Sequence, residues 1–203
     1  MKGSLYTLAY AAVLGTVCAL LLTAASIATA PYREANAKAE EISNILTVLK
    51  IPFEDSTSSE KLLEIFKNNV REEVLAEETL YIYSSAQGQV EAIAVRFSGR
   101  GLWGPIKGFL ALESDRRTIR GVTFYEQEET PGLGGEIVSS WFRQQFIGKS
   151  IIDKTGSPGI IIQSISGETS RNQVHAITGA TMTCEKVQAM LNKVITKIVE
   201  EQN

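Results

Sequence analysis

The stretch TGATMTCEKVQAMLNKVITKIV, Thr178 to Val199, contains the clearest secondary-structure signal in the chain. Its apolar residues recur at intervals of three and one, which places them on a single face of an α-helix. These residues are Val187, Met190, Leu191, Val194, Ile195, Ile198 and Val199. We therefore predict a C-terminal helix whose apolar face packs on a sheet, with the threonine-rich segment at its first turn.

The central part of the chain alternates with a period of two, which is typical of β-strands. Four segments rich in β-branched and aromatic residues follow one another at hairpin spacing, and a fifth segment comes later. They are LYIYSS (80–85), VEAIAVRFS (90–98), IKGFLALE (106–113), TIRGVTFYEQ (118–127) and GIIIQSIS (159–166). This order of elements predicts an α+β domain with a mostly antiparallel sheet and packed helices.

Helical periodicity predicts three further helices in the chain. Thr57 and Glu60 have the spacing of a capping box, so we place them at the start of the second of these helices. The three segments are Tyr32–Leu49, the apolar stripe Leu62–Val74, and a short helix over Val138–Phe146.

The N-terminal run Leu5–Ala30 carries no charged side chain and exceeds the ~20 apolar residues that a membrane-spanning helix needs. A cleaved signal peptide is the alternative, because Ala28–Ala30 has the small-x-small form of a cleavage site. The length of the run and Pro31, directly after the candidate cut, favour a retained anchor. The predicted organisation is an anchor over 1–31, a juxtamembrane helix and linker over 32–57, and a third domain over 58–203.

Composition excludes two classes of function. The net charge of −3 gives no basic excess with which to neutralise the phosphates of a nucleic acid. The chain has a single histidine, His175, and no CxxC pair, so we expect no metal held by protein ligands. Cys18 lies in the apolar run and Cys184 in the soluble part, so we expect no disulfide between them.

The threonines around residue 181 allow two interpretations. In the first, the hydroxyl of Thr181 or Thr183 caps the last helix, and Gly179 and Ala180 are small because the turn is tight. In the second, the free N–H groups and partial positive charge of the helix N-terminus hold a phosphate esterified to Thr181. A threonine hydroxyl is a poor nucleophile without an adjacent base, so such attachment would require a dedicated transferase.

The segment TGATMT, residues 178–183, resembles the flavinylation motif (Ser/Thr)-Gly-Ala-Thr-x-Thr of the FMN-binding domain family. Two more segments resemble this family in the same chain order, namely GRGLWGPIKGFLAL (99–112) and YEQEETPGLGGEI (125–137). The family includes the C subunit of the sodium-translocating NADH:quinone reductase and the G subunit of the Rnf complex. His175 and Cys184 depart from the family pattern, in which aspartate and serine are usual at these positions.

The resemblance implies a membrane-anchored subunit that transfers electrons through FMN, joined by a phosphoester to Thr181, with Thr183 as the second candidate. It implies a location in the inner (cytoplasmic) membrane, with the FMN domain on the outer side. The implied partners are the other subunits of an ion-translocating redox complex, a flavin transferase and membrane lipid, with no catalytic residue of its own. Two alternatives remain open: a stand-alone anchored flavin reductase, and a structural or assembly subunit without flavin.

The other predicted cofactor contacts lie in two segments outside the threonine motif. The loop TPGLGGE combines a proline with three glycines, which allows close approach of backbone to a ligand, and we expect it to lie along the flavin. Trp103 either covers the flavin ring or fills the core, and Glu129 either approaches the flavin or is a solvated loop acid. The full predicted set is Leu102, Trp103, Glu129, Thr130, Pro131, Gly132, Leu133, Gly134, Thr178, Gly179, Ala180, Thr181 and Thr183.

Overall fold

The computed structural model describes residues 2–54, 56–75, 78–85, 87–165, 167 and 169–201. The helices are α1 (Lys2–Val48), α2 (Ser59–Asn69), α3 (Ser140–Gln144) and α4 (Thr181–Glu200), with a 3₁₀ helix at Gly134–Val138. The strands are β1 (Val70–Leu75), β2 (Glu78–Ser84), β3 (Val90–Arg100), β4 (Pro105–Glu113), β5 (Ile119–Glu126), β6 (Ile161–Gln163) and β7 (Gln173–His175). The predicted α+β class is confirmed.

Strands β1 to β5 form one antiparallel sheet in chain order, so each strand pairs with the strand that follows it. In this meander the end of β3, the start of β4 and the end of β5 lie at the same end of the sheet, measured along the strands. The register shows this directly, because Arg100 pairs with Pro105 and Lys107 pairs with Glu126.

The sheet is covered on both faces. Helix α4 packs its predicted apolar face on one side, where Val187, Leu191 and Ile195 join a core with Phe97 and Leu110. On the other side, the last turns of α1 and helix α2 cover the sheet. The buried residues of this second core include Ile45, Leu46, Leu49, Leu62, Phe66, Phe109 and Ala111. Burial on both faces explains the continuous apolar runs at 92–95 of β3 and 109–112 of β4, whose alternate residues belong to the two cores.

The chain forms two compact units, Met1–Ala39 and Glu40–Asn203. The first unit is helical, and its most apolar window has a mean hydropathy of 2.2 with none of that window buried. By length and composition, helix α1 can therefore cross a membrane. The predicted domain boundaries after residues 31 and 57 stay predictions.

The second predicted helix is shorter than its apolar stripe suggested. Helix α2 ends at Asn69, and Val70–Leu75 instead forms strand β1, paired along its whole length with β2. Val74 is 73% exposed, so it is not part of a buried helical stripe. The N-cap also differs from the prediction, because Ser58 rather than Thr57 accepts a hydrogen bond from the Lys61 N–H at 3.4 Å.

Two other predicted elements have different limits. The helix expected over Val138–Phe146 is interrupted at Ser139, whose backbone is extended between the 3₁₀ helix and α3. The strand expected over 159–166 is reduced to β6, which pairs in parallel with β7 in a separate sheet. Side chains of α4 take the place of a neighbouring strand there, since Asn192 and Gln188 accept hydrogen bonds from the backbone N–H groups of residues 160 and 162.

Candidate cofactor-binding site

Helix α4 begins at Thr181, directly after a tight turn. Gly179 has a φ of 78°, and a Cβ added there would lie 3.0 Å from Leu133 Cδ2, so this position requires glycine. Ala180 takes the N-cap position, and no side chain in the described part of the chain caps the helix. The predicted capping by Thr181 or Thr183 is therefore wrong, because both threonines lie inside the first turn, beyond the position from which a side chain can cap.

The absence of a side-chain cap leaves the first turn of α4 able to bind an anion. The backbone N–H groups of Thr181, Met182 and Thr183 have no acceptor within the helix, as at any helix start. The aligned peptide dipoles of this 20-residue helix add about half a positive charge at the same place. The side chain of Thr181 is exposed next to these groups.

A buried carboxylate connects the start of α4 to two loops. Glu129 is only 4% exposed, and its Oε2 accepts a hydrogen bond from Thr183 Oγ1 at 2.6 Å. Its Oε1 accepts from the backbone N–H groups of Leu102 at 2.8 Å and Trp103 at 3.2 Å. Glu129 is therefore not the solvated loop acid of one sequence interpretation; it fixes the β3–β4 turn and helix α4 to the loop that follows β5.

Two glycines allow these three segments to approach so closely. A Cβ added at Gly134 would lie 2.5 Å from Thr183 Oγ1 and 2.9 Å from Glu129 Oε2. A Cβ added at Gly101 would overlap Glu129 Oε1. Glycine at both positions is explained by contact with the buried carboxylate and its partners.

A cavity of about 250 Å³ lies where the three segments meet. Its lining residues are Leu102, Trp103, Glu129, Thr130, Leu133, Gly134, Gly179, Ala180, Thr181, Met182 and Thr183. The structure thus brings together the predicted cofactor contacts except Thr178, Pro131 and Gly132, which do not line the cavity. Whether these residues bind a cofactor stays a prediction.

The apolar part of the cavity is open to solvent. Trp103 is 67% exposed and Leu102 is 39% exposed, so the alternative in which Trp103 fills the core is wrong. Leu133 and Met182 are exposed as well. Sequence reasoning missed Met182, although its place between two motif threonines at the start of a helix was a usable signal.

The two positions that depart from the family pattern have ordinary structural roles. Cys184 is buried, and its Sγ accepts a hydrogen bond from the Ile177 N–H at 3.3 Å. Burial raises the pKa of the Cys184 thiol, so the sulfur is a packed, protonated group rather than a reactive thiolate. His175 is exposed in β7, and its backbone N–H donates to Gln145 Oε1 at 2.9 Å.

Comparison with known proteins relates this site to a family. The C subunit of the Na(+)-translocating NADH-quinone reductase from Yersinia pestis is 39% identical over 116 residues, 56% of this chain and 43% of that protein. The protein of the same name from Neisseria meningitidis is 38% identical over 109 residues, 54% of this chain and 42% of the relative. The chain thus spans less than half the length of these curated relatives.

Two solved structures share the fold. The C subunit of the Na(+)-translocating NADH-quinone reductase from Parabacteroides distasonis superposes with a TM-score of 0.70 at 24% identity, covering 83% of this chain and 94% of the other. Shewanella oneidensis NqrC superposes with a TM-score of 0.65 at 22% identity, covering 76% and 90%. Residues 101–196, which contain all three segments of the cavity, match the model of the FMN-binding domain, and the predicted resemblance to this family is confirmed.

Proposed function

We propose that this chain is a membrane-anchored flavoprotein subunit that relays electrons through FMN, held by a phosphoester bond to Thr181. The observation that carries the proposal is an exposed threonine hydroxyl at a helix start without a side-chain cap, inside the segment that matches the FMN-binding domain. The names of the relatives favour a sodium-translocating NADH:quinone reductase as the complex to which the subunit belongs. An Rnf-type complex is the alternative within this proposal.

The environments of the two motif threonines support attachment at Thr181. The Thr183 hydroxyl is buried, at 2% exposure, and donates its hydrogen to Glu129. Esterification of Thr183 would remove that hydrogen bond and would require a bulky phosphate where Gly134 already lies in contact. The side chain of Thr181 is exposed at the cavity, so a transferase can reach it.

The cavity residues suit both chemical parts of FMN. The N–H groups of the first turn of α4 are donors for the phosphate, and the positive end of the helix favours its charge. The exposed apolar side chains of Leu102, Trp103, Leu133 and Met182 offer surface for a flat aromatic ring. FMN, when bound, supplies the redox chemistry, and the chain itself positions and partly covers it.

A covalent tether suits an electron carrier whose partners change, because the cofactor stays attached whatever its redox state. We propose that helix α1 anchors the chain in the inner membrane, with the FMN domain on the outer side. The partners in this proposal are the other subunits of the complex, the flavin transferase that installs FMN, and the lipid around α1. The chain contributes to the complex as a redox subunit and has no separate catalytic residue.

Fluorescence on a denaturing gel tests the attachment site. The full chain, coexpressed with a flavin transferase, should give a fluorescent band that survives denaturation. Thr181→Ala should abolish the band, whereas Thr169→Ala, which removes an exposed hydroxyl outside the motif, should retain it. If Thr181→Ala keeps a fluorescent band and Thr183→Ala loses it, the flavin is attached to Thr183 instead.

Intact mass and turnover separate the alternatives. A natively expressed chain whose mass equals that of the bare polypeptide would refute the flavoprotein proposal and leave a structural or assembly subunit. Purified flavinylated chain that turns over a soluble electron donor and acceptor without partner subunits would instead indicate a stand-alone flavin reductase.

A further inference from the structure

A second cavity, of about 160 Å³, lies at the end of helix α1. It is lined by the last residues of α1 and Lys50 after it, by strand β5 and by the segment around α3, and it is partly open to solvent. Its lining residues are Thr47, Val48, Lys50, Arg120, Gly121, Val122, Thr123, Ser140, Arg143, Gln144 and Ile147. No residue lines both this cavity and the candidate cofactor site, so binding of a ligand here would be independent of the proposed function.

Unpaired polar atoms concentrate at this cavity. Among the residues that the structure describes, three buried side-chain atoms have no hydrogen-bond partner, and they are Arg120 Nε, Arg143 Nε and Thr123 Oγ1. All three residues line the cavity. Buried polar groups are almost always paired in folded proteins. Three unpaired groups around one cavity therefore indicate that a molecule bound in the cavity supplies their hydrogen-bond partners. Thr123 is only 1% exposed, which leaves its hydroxyl little access to bulk water.

The charge of the lining has one sign. Lys50, Arg120 and Arg143 contribute cations, and the lining set contains no aspartate or glutamate. The guanidinium of Arg120 is held in place, since its NH1 donates to Glu113 Oε2 at 3.0 Å and its Cζ lies 5.8 Å from the centre of the Tyr83 ring. A fixed guanidinium with a spare N–H donor is well suited to a carboxylate or phosphate oxygen.

The volume limits the size of the ligand. An apolar cavity of about 150 Å³ is large enough for a benzene molecule, so a cavity of this size accepts a ligand of about five or six non-hydrogen atoms. We propose that this cavity binds a small oxyanion, of the size of inorganic phosphate or acetate, through Arg120, Arg143 and the hydroxyl of Thr123. The anion joins the end of α1 to β5 and α3, so it stabilises the contact between these elements.

Thermal unfolding in the presence of anions tests the proposal. The full chain in detergent micelles is titrated with inorganic phosphate, and separately with acetate, against sodium chloride at constant ionic strength, which removes general charge screening. A specific site raises the unfolding midpoint with saturation, as expected for a ligand that binds only the folded state. A saturable rise with either anion that is weakened by substitution of the cavity residues supports the proposal and identifies the preferred oxyanion, because the first turn of α4 is a second place where an anion can bind.

Matched variants locate the effect. Arg143→Gln should raise the anion concentration needed for half the effect by about tenfold or more, because a charge-assisted hydrogen bond is lost. Thr123→Val should raise it several-fold without lowering the midpoint in chloride, because the hydroxyl has no protein partner to lose. Arg117→Gln removes an exposed charge outside the cavity and should leave the titration unchanged.

Thr123→Val keeps the test decisive if Arg143→Gln does not fold. No anion-specific rise in the wild-type chain would overturn the proposal. A rise of equal size in the wild type, Thr123→Val and Arg117→Gln would overturn it as well, since such an effect would come from surface charge or from the first turn of α4 and not from this cavity.

Discussion

Replacement of Glu129 by alanine should destabilise the chain far more than replacement of an ordinary solvent-exposed acid in a loop. The substitution leaves three donors without their acceptor: the Thr183 hydroxyl and the backbone N–H groups of Leu102 and Trp103. Thr183 is 2% exposed and cannot turn to water, so the loss of its bond to the buried carboxylate costs about 1.5–3 kcal/mol. The two backbone N–H groups lie beside half-open side chains and regain water, so each adds about 0.5–1 kcal/mol.

The sum is a loss of about 2.5–5 kcal/mol in the free energy of unfolding. For a chain of this size that lowers the unfolding midpoint by about 5–20 °C, at about 2–4 °C per kcal/mol. Glu129→Gln should cost less, about 1–2 kcal/mol, because its carbonyl oxygen still accepts from the two backbone groups. Its NH₂ group replaces the oxygen that accepts from the Thr183 hydroxyl, so that hydroxyl can pair only by turning to accept from the amide. Tryptophan fluorescence during thermal unfolding in micelles measures these shifts.

Glu128→Ala is the matched control for Glu129→Ala. Glu128 precedes Glu129 in the same loop but is exposed, so its removal should change stability by no more than about 0.5 kcal/mol. If Glu129→Ala is no more destabilising than Glu128→Ala, the buried carboxylate does not hold the three segments together.

Other substitutions test the close packing at two glycines and the charge of one loop acid. Gly134→Ala should lower the unfolding midpoint and the covalent incorporation of flavin, because its Cβ would lie 2.5 Å from Thr183 Oγ1. Incorporation is read as gel fluorescence per mass of protein. A variant with wild-type values of both quantities would refute the close packing. Gly108→Ala should prevent accumulation of folded chain, measured by yield and thermal unfolding, since its Cβ would overlap the backbone of the neighbouring strand; a folded, stable variant would contradict the register of β4 and β5. Partial burial acts to raise the pKa of Asp115, but hydrogen bonds from the Thr118 hydroxyl and nearby backbone N–H groups outweigh it and lower that pKa. The stabilisation from Asp115 is therefore present above the unfolded carboxyl pKa of about 3.9 and is lost as the pH falls through the lower folded value. The difference in unfolding midpoint between the wild type and Asp115→Asn should therefore shrink below about pH 4. A difference that does not change with pH would refute this.

Local periodicity was sufficient to predict the elements that settle the fold class. Alternation predicted strands β2 to β5, and the spacing of three and one predicted the buried face of α4. Local pattern failed at β1, because Val70 and Val74 are four residues apart and fit a helical stripe as well as a strand. The pairing of β1 with β2 decides this case, and that pairing is a tertiary property.

The role of Glu129 could not be predicted for a related reason. Its partners, Thr183 and the backbone of Leu102 and Trp103, lie 54, 27 and 26 residues away along the chain. The sequence shows only an acid in a glycine-rich loop, and such acids are usually solvated. What the sequence does contain is the pair of glycines, Gly101 and Gly134, whose absent Cβ atoms leave room for the carboxylate.

The site forms from three distant segments because of the way the sheet is wound. In an antiparallel meander, the β3–β4 turn and the loop after β5 must lie at the same end of the sheet, and the pairs Arg100–Pro105 and Lys107–Glu126 place them there. Topology alone does not position the start of α4, which reaches this end of the sheet only after the long connection from β5. The Thr183–Glu129 hydrogen bond joins the start of α4 to the loop after β5. Under the proposed attachment, Thr183 would act as a positioning residue for Thr181. A Thr183→Val chain should therefore fold with α4 intact yet incorporate less covalent flavin than Thr169→Ala, and equal incorporation in the two would show that packing of α4 on the sheet is enough.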